Sequence, residues 1–152
     1  MTEVTAPAAS ATGERPLFST IDHVGVAVPD LDAAVAYYRD VLGMREAHRE
    51  VNEEQGVAEV MMAVGDSGVC VQLLAPLDET STIARFLDRS GPGLQQIAYR
   101  VDDLDEVCAT LRRRGARLLY DVPKRGTANS RVNFIHPKSA GGVLVELVEP
   151  AR

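Results

Sequence analysis

Four polar side chains stand where strands of this 152-residue chain should carry apolar ones. His23 opens HVGVAV, Gln72 lies in VQLLAP, Gln96 follows Gln95 in QQIAYRV, and Glu146 lies in VELVEP. A carboxylate between Val145 and Leu147 is costly in a core strand unless it is paired or holds a metal ion. A fifth residue, Glu59, sits between Ala58 and Val60 in another apolar run, where a carboxylate could move protons. Plainer readings exist for each alone. A lone histidine is commonly a satisfied core or surface residue, a single Glu in a last strand commonly faces solvent, and Glu59 could be one half of a cross-strand ion pair. What sets the four apart is their arrangement in two pairs.

That arrangement comes from an internal repeat. Asp30, Leu31 and Asp32 begin seven residues after His23, and Asp103, Leu104 and Asp105 begin seven after Gln96. VQLLAP in the first copy answers VELVEP in the second, so Gln72 is the counterpart of Glu146. The same spacing sets Glu59 against Asn133, each 13 residues before its partner in the last strand. A long period occurring twice describes a pseudo-symmetric fold, not a solenoid. Each copy, about 20–76 and 94–150, reads as strand, helix and three strands, an α+β arrangement with helices outside curved sheets.

Within the first copy, Ile21–Val28 alternates as a half-buried strand does. Asp30 caps a helix with Leu31, Val35, Tyr38 and Leu42 on its inner side, and Gly43 stops it. NEEQG between Val51 and Val57 suits a hairpin, and Val69–Ala75 completes the copy. A bridging helix is expected from Ser81 to Arg89. The second copy predicts a strand at 95–101, a helix at 104–114, strands near 116–121 and 131–136, and a last strand at 143–149. By period-2 alternation Gln95 faces away from Gln96.

Composition narrows the function. A net charge of −6 and a pI near 5.0 exclude a broad nucleic-acid-binding face. No apolar run is long enough for a membrane span. Residues 1–17, rich in Ala, Thr and Pro without an apolar stretch, read as a disordered tail ahead of a single domain at 18–152. Cys70 and Cys108 lie in apolar patterns and read as buried thiols of a reducing compartment, and with neither a signal peptide nor a membrane span the cytoplasm is expected by elimination.

IDHVGVAVPDLDAAVAYYRDVLG, HREVNEEQGVAEVMM, LLYDVPKRG and NFIHPKSAGGVLVEL resemble the methylmalonyl-CoA epimerases of the vicinal oxygen chelate superfamily. The resemblance covers about residues 19–150. It implies two βαβββ modules forming a curved mixed sheet around a divalent metal held by His23, Gln72, Gln96 and Glu146. Position 96 is histidine in the family's usual pattern, and here it is glutamine. With three oxygen donors and one nitrogen, the preference moves from Zn2+ toward Co2+, Mn2+ or Mg2+, with Co2+ favoured. The resemblance further implies Glu59 as one general base at C2 of an acyl-CoA, Glu146 as its partner on the other face, and a homodimer. Lys124, Arg125, Ser130, Arg131 and Lys138 are candidates for the coenzyme A phosphates, against a plain reading as solvated loop residues.

Other readings remain at this point. An extradiol dioxygenase needs two histidines and a carboxylate at the metal, and only one histidine is in place. A glyoxalase-like isomerase would depend on glutathione. An epimerase of another 2-substituted malonyl-CoA differs only in pocket shape. A non-catalytic small-molecule-binding module would take up no metal and line its cleft with aromatics, which are 5% of this chain.

Overall fold

Asp30, Ser81 and Asp103 each cap the helix that follows, their side-chain oxygens accepting from the N–H groups of Ala33, Ala84 and Glu106. Each such cap stabilises its helix by about 1 kcal/mol. The computed structural model describes residues 16–152. Strand β1 (Thr20–Ala27) leads to helix α1 (Leu31–Asp40), then β2 (Arg45–Asn52), β3 (Val57–Ala63) and β4 (Cys70–Pro76). Helix α2 (Thr82–Ser90) crosses to the second copy, which runs β5 (Gly93–Arg100), α3 (Leu104–Arg113), β6 (Lys124–Arg125), β7 (Arg131–Ile135) and β8 (Val145–Glu149). The eight strands make one sheet in the order β2-β3-β4-β1-β5-β8-β7-β6, curled into a half-barrel. β1 pairs with β4 in parallel, as β5 does with β8, and the copies meet along the antiparallel β1–β5 seam.

Alternation along the strands gives each copy two faces. Leu73 with Val35 of α1, and Leu147 with Leu104 and Leu111 of α3, fill cores between sheet and helices. Burying a leucine there contributes roughly 1.5–3 kcal/mol. Gln72 and Glu146, one residue earlier on β4 and β8, therefore point to the other, concave face. The tail expected over 1–17 lies outside the described residues except for Pro16 and Leu17. Leu17 packs with Phe18 on the core beneath α3. Among the described residues, no helix is long and apolar enough to cross a membrane. Cys70 and Cys108 are free thiols, the first half-buried and the second buried.

The structure corrects several expectations. Helix α1 ends at Asp40, so Leu42 lies beyond it and is exposed. No strand forms over 116–121. One bridge, Leu118 to Ile135, survives there, because the buried Asn133 side chain accepts from the N–H of Tyr120 and donates to its carbonyl where a ladder would run. Nor is Asn133 the counterpart of Glu59. Glu59 pairs with Leu74, two residues after Gln72, whereas Val132 pairs with Val148, two after Glu146. Register therefore makes Val132 the counterpart, and Asn133 faces α3, where its amide also meets Cys108 Sγ.

Both seam strands carry an extra residue. Pairing steps from Ile21–Tyr99 to His23–Ala98, passing over Asp22, and from Gly25–Gln96 to Val26–Leu94, passing over Gln95. Since His23 is the counterpart of Gln96, Asp22 is that of Gln95, and the two bulges obey the repeat. A bulge re-aims side chains and breaks the alternation. Gln95 accordingly lines the same cleft as Gln96, not the opposite face.

Candidate active site

The concave cleft collects Glu59, Gln72, Gln95, Gln96, Thr127 and Glu146. Its wall is apolar, with Val57 and Leu74 from the first copy, Ile83 from α2, and Leu119 and Phe134 from the second. His23, Glu59, Gln72 and Glu146 are all buried. All five residues that the sequence nominated for the centre, Gln96 included, come together.

Their hydrogen bonds form one connected chain. Glu59 Oε2 accepts from Gln72 Nε2 at 2.9 Å, and Gln72 Oε1 accepts from Gln96 Nε2 at 3.2 Å. Gln96 Nε2 also donates to Glu146 Oε2 at 2.7 Å, and that oxygen meets His23 Nε2 at 3.0 Å. The two carboxyl groups thus stand at either end of a pair of glutamine amides. Gln72 has its orientation fixed, because its NH2 group serves Glu59 and Thr127 and leaves only its oxygen for the centre.

Beyond the imidazole, Asp22 accepts from His23 Nδ1 at 2.7 Å and is itself held by the Arg100 guanidinium, also at 2.7 Å. Burial acts to lower the pKa of His23, but its hydrogen bonds to Asp22 and Glu146 and their charges outweigh this and raise it to about 9. Burial acts to raise Asp22, and His23 and Arg100 hold it below the usual carboxylate range. Loss of the Nε2 proton leaves an imidazole whose Nδ1–H stays on Asp22. Metal-binding histidines use that arrangement.

A divalent cation fits these donors. His23 Nε2, Gln72 Oε1 and Glu146 Oε2 converge on one point, all within 3.4 Å of Gln96 Nε2. Half a turn about the last torsion of Gln96 presents its oxygen there, giving one nitrogen and three oxygen donors, a set suited to hard or borderline ions. Among the described residues no three His, Cys, Asp or Glu side chains gather as a metal cluster, since two of the four donors here are amides. Gly25 leaves the space Gln96 needs: a Cβ on it would lie 2.6 Å from Gln96 Cγ. Gly25→Ala should push Gln96 aside and weaken Co2+ binding about tenfold or more. Calorimetric titration measures this, and unchanged affinity would remove Gln96 from the set.

At the other end of the cleft Thr127 Oγ1 donates to Glu59 Oε1 at 2.6 Å. Glu50 lies directly across the β2–β3 ladder from Glu59 and meets it carboxyl to carboxyl. Burial chiefly raises the pKa of Glu59, to about 7, and the charges of Glu50 and Glu146 add to that rise while Thr127 opposes it. A base with that affinity for protons suits neutral pH. Ala128 and Asn129, with φ of 54° and 60°, hold the turn in the left-handed region. Strain of that kind, of order 1–3 kcal/mol per residue, collects at functional sites.

Of the phosphate candidates, Lys124, Arg125, Ser130 and Arg131 border a second groove together with Asp105 and Glu149. Arg131 is ion-paired to both of those acids, at 3.0 Å each, and Ser130 is buried. Lys124 Nζ lies 4.3 Å from the ring centre of Tyr120, which lines the cleft. Lys138 stands apart, in the turn past the far end of β7. Sequence reasoning missed Asp22, His48, Glu50 and Thr127. His48 and Glu50, two apart in one strand, were the available signal.

Residues 22–134 match the model of the Glyoxalase/Bleomycin resistance protein/Dioxygenase superfamily. The chain is 37% identical to the ethylmalonyl-CoA/methylmalonyl-CoA epimerase of Cereibacter sphaeroides over 86% of its length and 98% of that protein's. It is 59% identical to the methylmalonyl-CoA epimerase of Mycobacterium tuberculosis, whose crystal structure superposes with a TM-score of 0.88 over 90% of this chain and 91% of that one. A methylmalonyl-CoA epimerase in complex with methylmalonyl-CoA and NH4+ matches with 44% identity and a TM-score of 0.85, over 88% of this chain and 96% of that one. With the family model, the curated relatives and the superposed structures all in agreement, the chain belongs to this superfamily and, within it, to the methylmalonyl-CoA epimerases.

Proposed function

We propose that the cleft epimerises methylmalonyl-CoA at C2, with Glu59 and Glu146 serving opposite faces of that carbon. One observation carries the assignment of roles: both carboxyl groups reach into one cleft and are linked through Gln72 and Gln96. Glu59, held by Thr127 and Gln72, removes the proton from one face, and Glu146 returns one to the other. A carboxylate of ordinary pKa, about 4.3, is far too weak a base for a thioester α-carbon unless the enolate is stabilised. A divalent cation held by His23, Gln72, Gln96 and Glu146 would supply that stabilisation as a Lewis acid and template. Gln95 carries a buried amide oxygen with no partner among the described residues and lines the cleft, so it can accept from an N–H of the coenzyme A arm.

The apolar wall takes the methyl branch and keeps water from the intermediate. Lys124, exposed beside Tyr120, and the exposed Arg125 support a role at the coenzyme A phosphates, with Ser130, Arg131 and Lys138 as further candidates. In this reading the protein is a cytoplasmic homodimer and Co2+ is the favoured ion.

The test uses protein stripped of metal and a single epimer of methylmalonyl-CoA in D2O, with deuterium followed at C2. Exchange should appear on adding Co2+. Exchange that ignores every ion would remove the metal from the reading. No exchange with Co2+, Mn2+, Mg2+ or Zn2+ would return the chain to the binding-module alternative.

A further inference from the structure

The reaction leaves a proton on Glu59 that must reach solvent before the base can act again, yet Glu59 is buried at 4% exposure. We infer that Glu50 and His48 form the outlet for that proton. They are positioning residues, acting through Glu59, and the inference rests on the epimerase reading above.

Register and side-chain alternation place the three groups. Glu50 is the direct cross-strand neighbour of Glu59, and His48, two residues earlier on β2, shares the face of Glu50. Two carboxylates opposite each other across a ladder repel. His48 can offset charge at Glu50 Oε2 from the outer side, and between the two carboxyl groups themselves a shared proton relieves the repulsion. Among the described residues Glu50 Oε1 is buried and has no N–H or O–H donor, while the Glu50 side chain is within hydrogen-bonding reach of Glu59, which fits a proton shared between the two carboxyl groups. The other oxygen, Oε2, is firmly held: His48 Nε2 lies 2.6 Å away and the Ala128 N–H donates at 3.1 Å. The His48 side chain is 40% exposed, whereas that of Glu50 is 16% exposed. The path therefore runs from a buried acid through a half-buried one to an imidazole in water.

The steps balance. While Glu59 acts as the base, the shared proton sits on Glu50. Once the C2 proton rests on Glu59, Glu50 turns its carboxyl group and gives its own proton to His48 Nε2, and the proton on Glu59 becomes the shared one. The imidazolium releases Nδ1–H to water and regains its starting tautomer by exchange with water. A purely structural pair would hold Glu50 in place without carrying anything.

His48→Gln tests the relay, with Glu50→Gln as the second variant, both in the metal-loaded full chain. Unlabelled substrate is turned over in D2O, and deuterium is measured in the epimerised product and in recovered substrate. In the unsubstituted protein, Glu59 exchanges its proton during the lifetime of the enolate, so recovered substrate gains label. In His48→Gln, label in recovered substrate falls relative to product, kcat falls roughly tenfold or more, and rising concentrations of imidazole restore both. Unaltered label ratios together with no response to imidazole overturn the relay alone. Absence of turnover by the unsubstituted protein overturns the epimerase reading and the relay with it, so the two fail separately.

Discussion

Glu59→Gln lowers epimerisation by about 10²- to 10⁴-fold and leaves the melting temperature unchanged or higher. The loss follows from removing the group that takes the proton, because the neighbouring donors cannot replace it. Thr127 and Gln72 present an O–H and an N–H to the Glu59 position, and neither is a base. Stability is preserved for a separate reason. The substitution keeps the side-chain shape and removes a carboxyl group that faces Glu50 across the ladder. The Thr127 hydroxyl can turn to accept from an amide NH2. Co2+ affinity should stay near that of the unsubstituted protein, since Glu59 touches the metal set only through the NH2 of Gln72. Exchange at C2, a melting curve and a calorimetric titration on the same preparation check the three expectations. A variant that retains exchange would move the base elsewhere.

Glu146→Gln should lose both metal and activity. Glu146 is the one anion among the four proposed ligands, and its Oε2 already draws His23 Nε2 and Gln96 Nε2 together. Replacing it by an amide leaves a dication among neutral donors. Co2+ affinity is expected to fall on the order of a hundredfold or more, because charge count governs affinity in oxygen-rich sites. Epimerisation falls at least as far as in Glu59→Gln, because the proton donor for the opposite face is lost as well. The contrast separates the two carboxylates. Glu59→Gln binds Co2+ and does not turn over, whereas Glu146→Gln does neither. Tight Co2+ binding by Glu146→Gln would show that the ion sits on other residues.

Much of this site was legible in the sequence because the repeat exposed it. His23, Gln72, Gln96 and Glu146 are conspicuous as polar residues at matching places in two apolar patterns, and the alternation of β4 and β8 correctly turns Gln72 and Glu146 toward the cleft. What escaped depends on pairing, which a sequence does not display. Asp22 and Gln95 are bulge residues, and a bulge exists only relative to the strand opposite. Alternation alone sent Gln95 to the wrong face for that reason. The Glu50–Glu59 pair likewise requires the register of β2 on β3. The strand expected over 116–121 failed because a side chain, Asn133, took over bonds that a backbone would have made. Equating Asn133 with Glu59 failed by one residue because spacing along a chain is not spacing across a ladder.

The turn at 127–129 has a mechanical meaning for the whole sheet. β2 and β6 are the outermost strands, at opposite ends of the eight. The turn leaves β6 and lands on the first copy, where Thr127 bonds Glu59 and Gln72 and Ala128 N–H bonds Glu50. The half-barrel is thereby fastened into a hoop, continuous along the β1–β5 seam and clasped by this turn and by the Gln55 amide on the Tyr120 hydroxyl. A hoop clasped by so few bonds has its compliance at the clasp. Breathing of the cleft is concentrated where the base is held, so the Ala128 amide should exchange its hydrogen through local opening while amides of the seam wait for global unfolding.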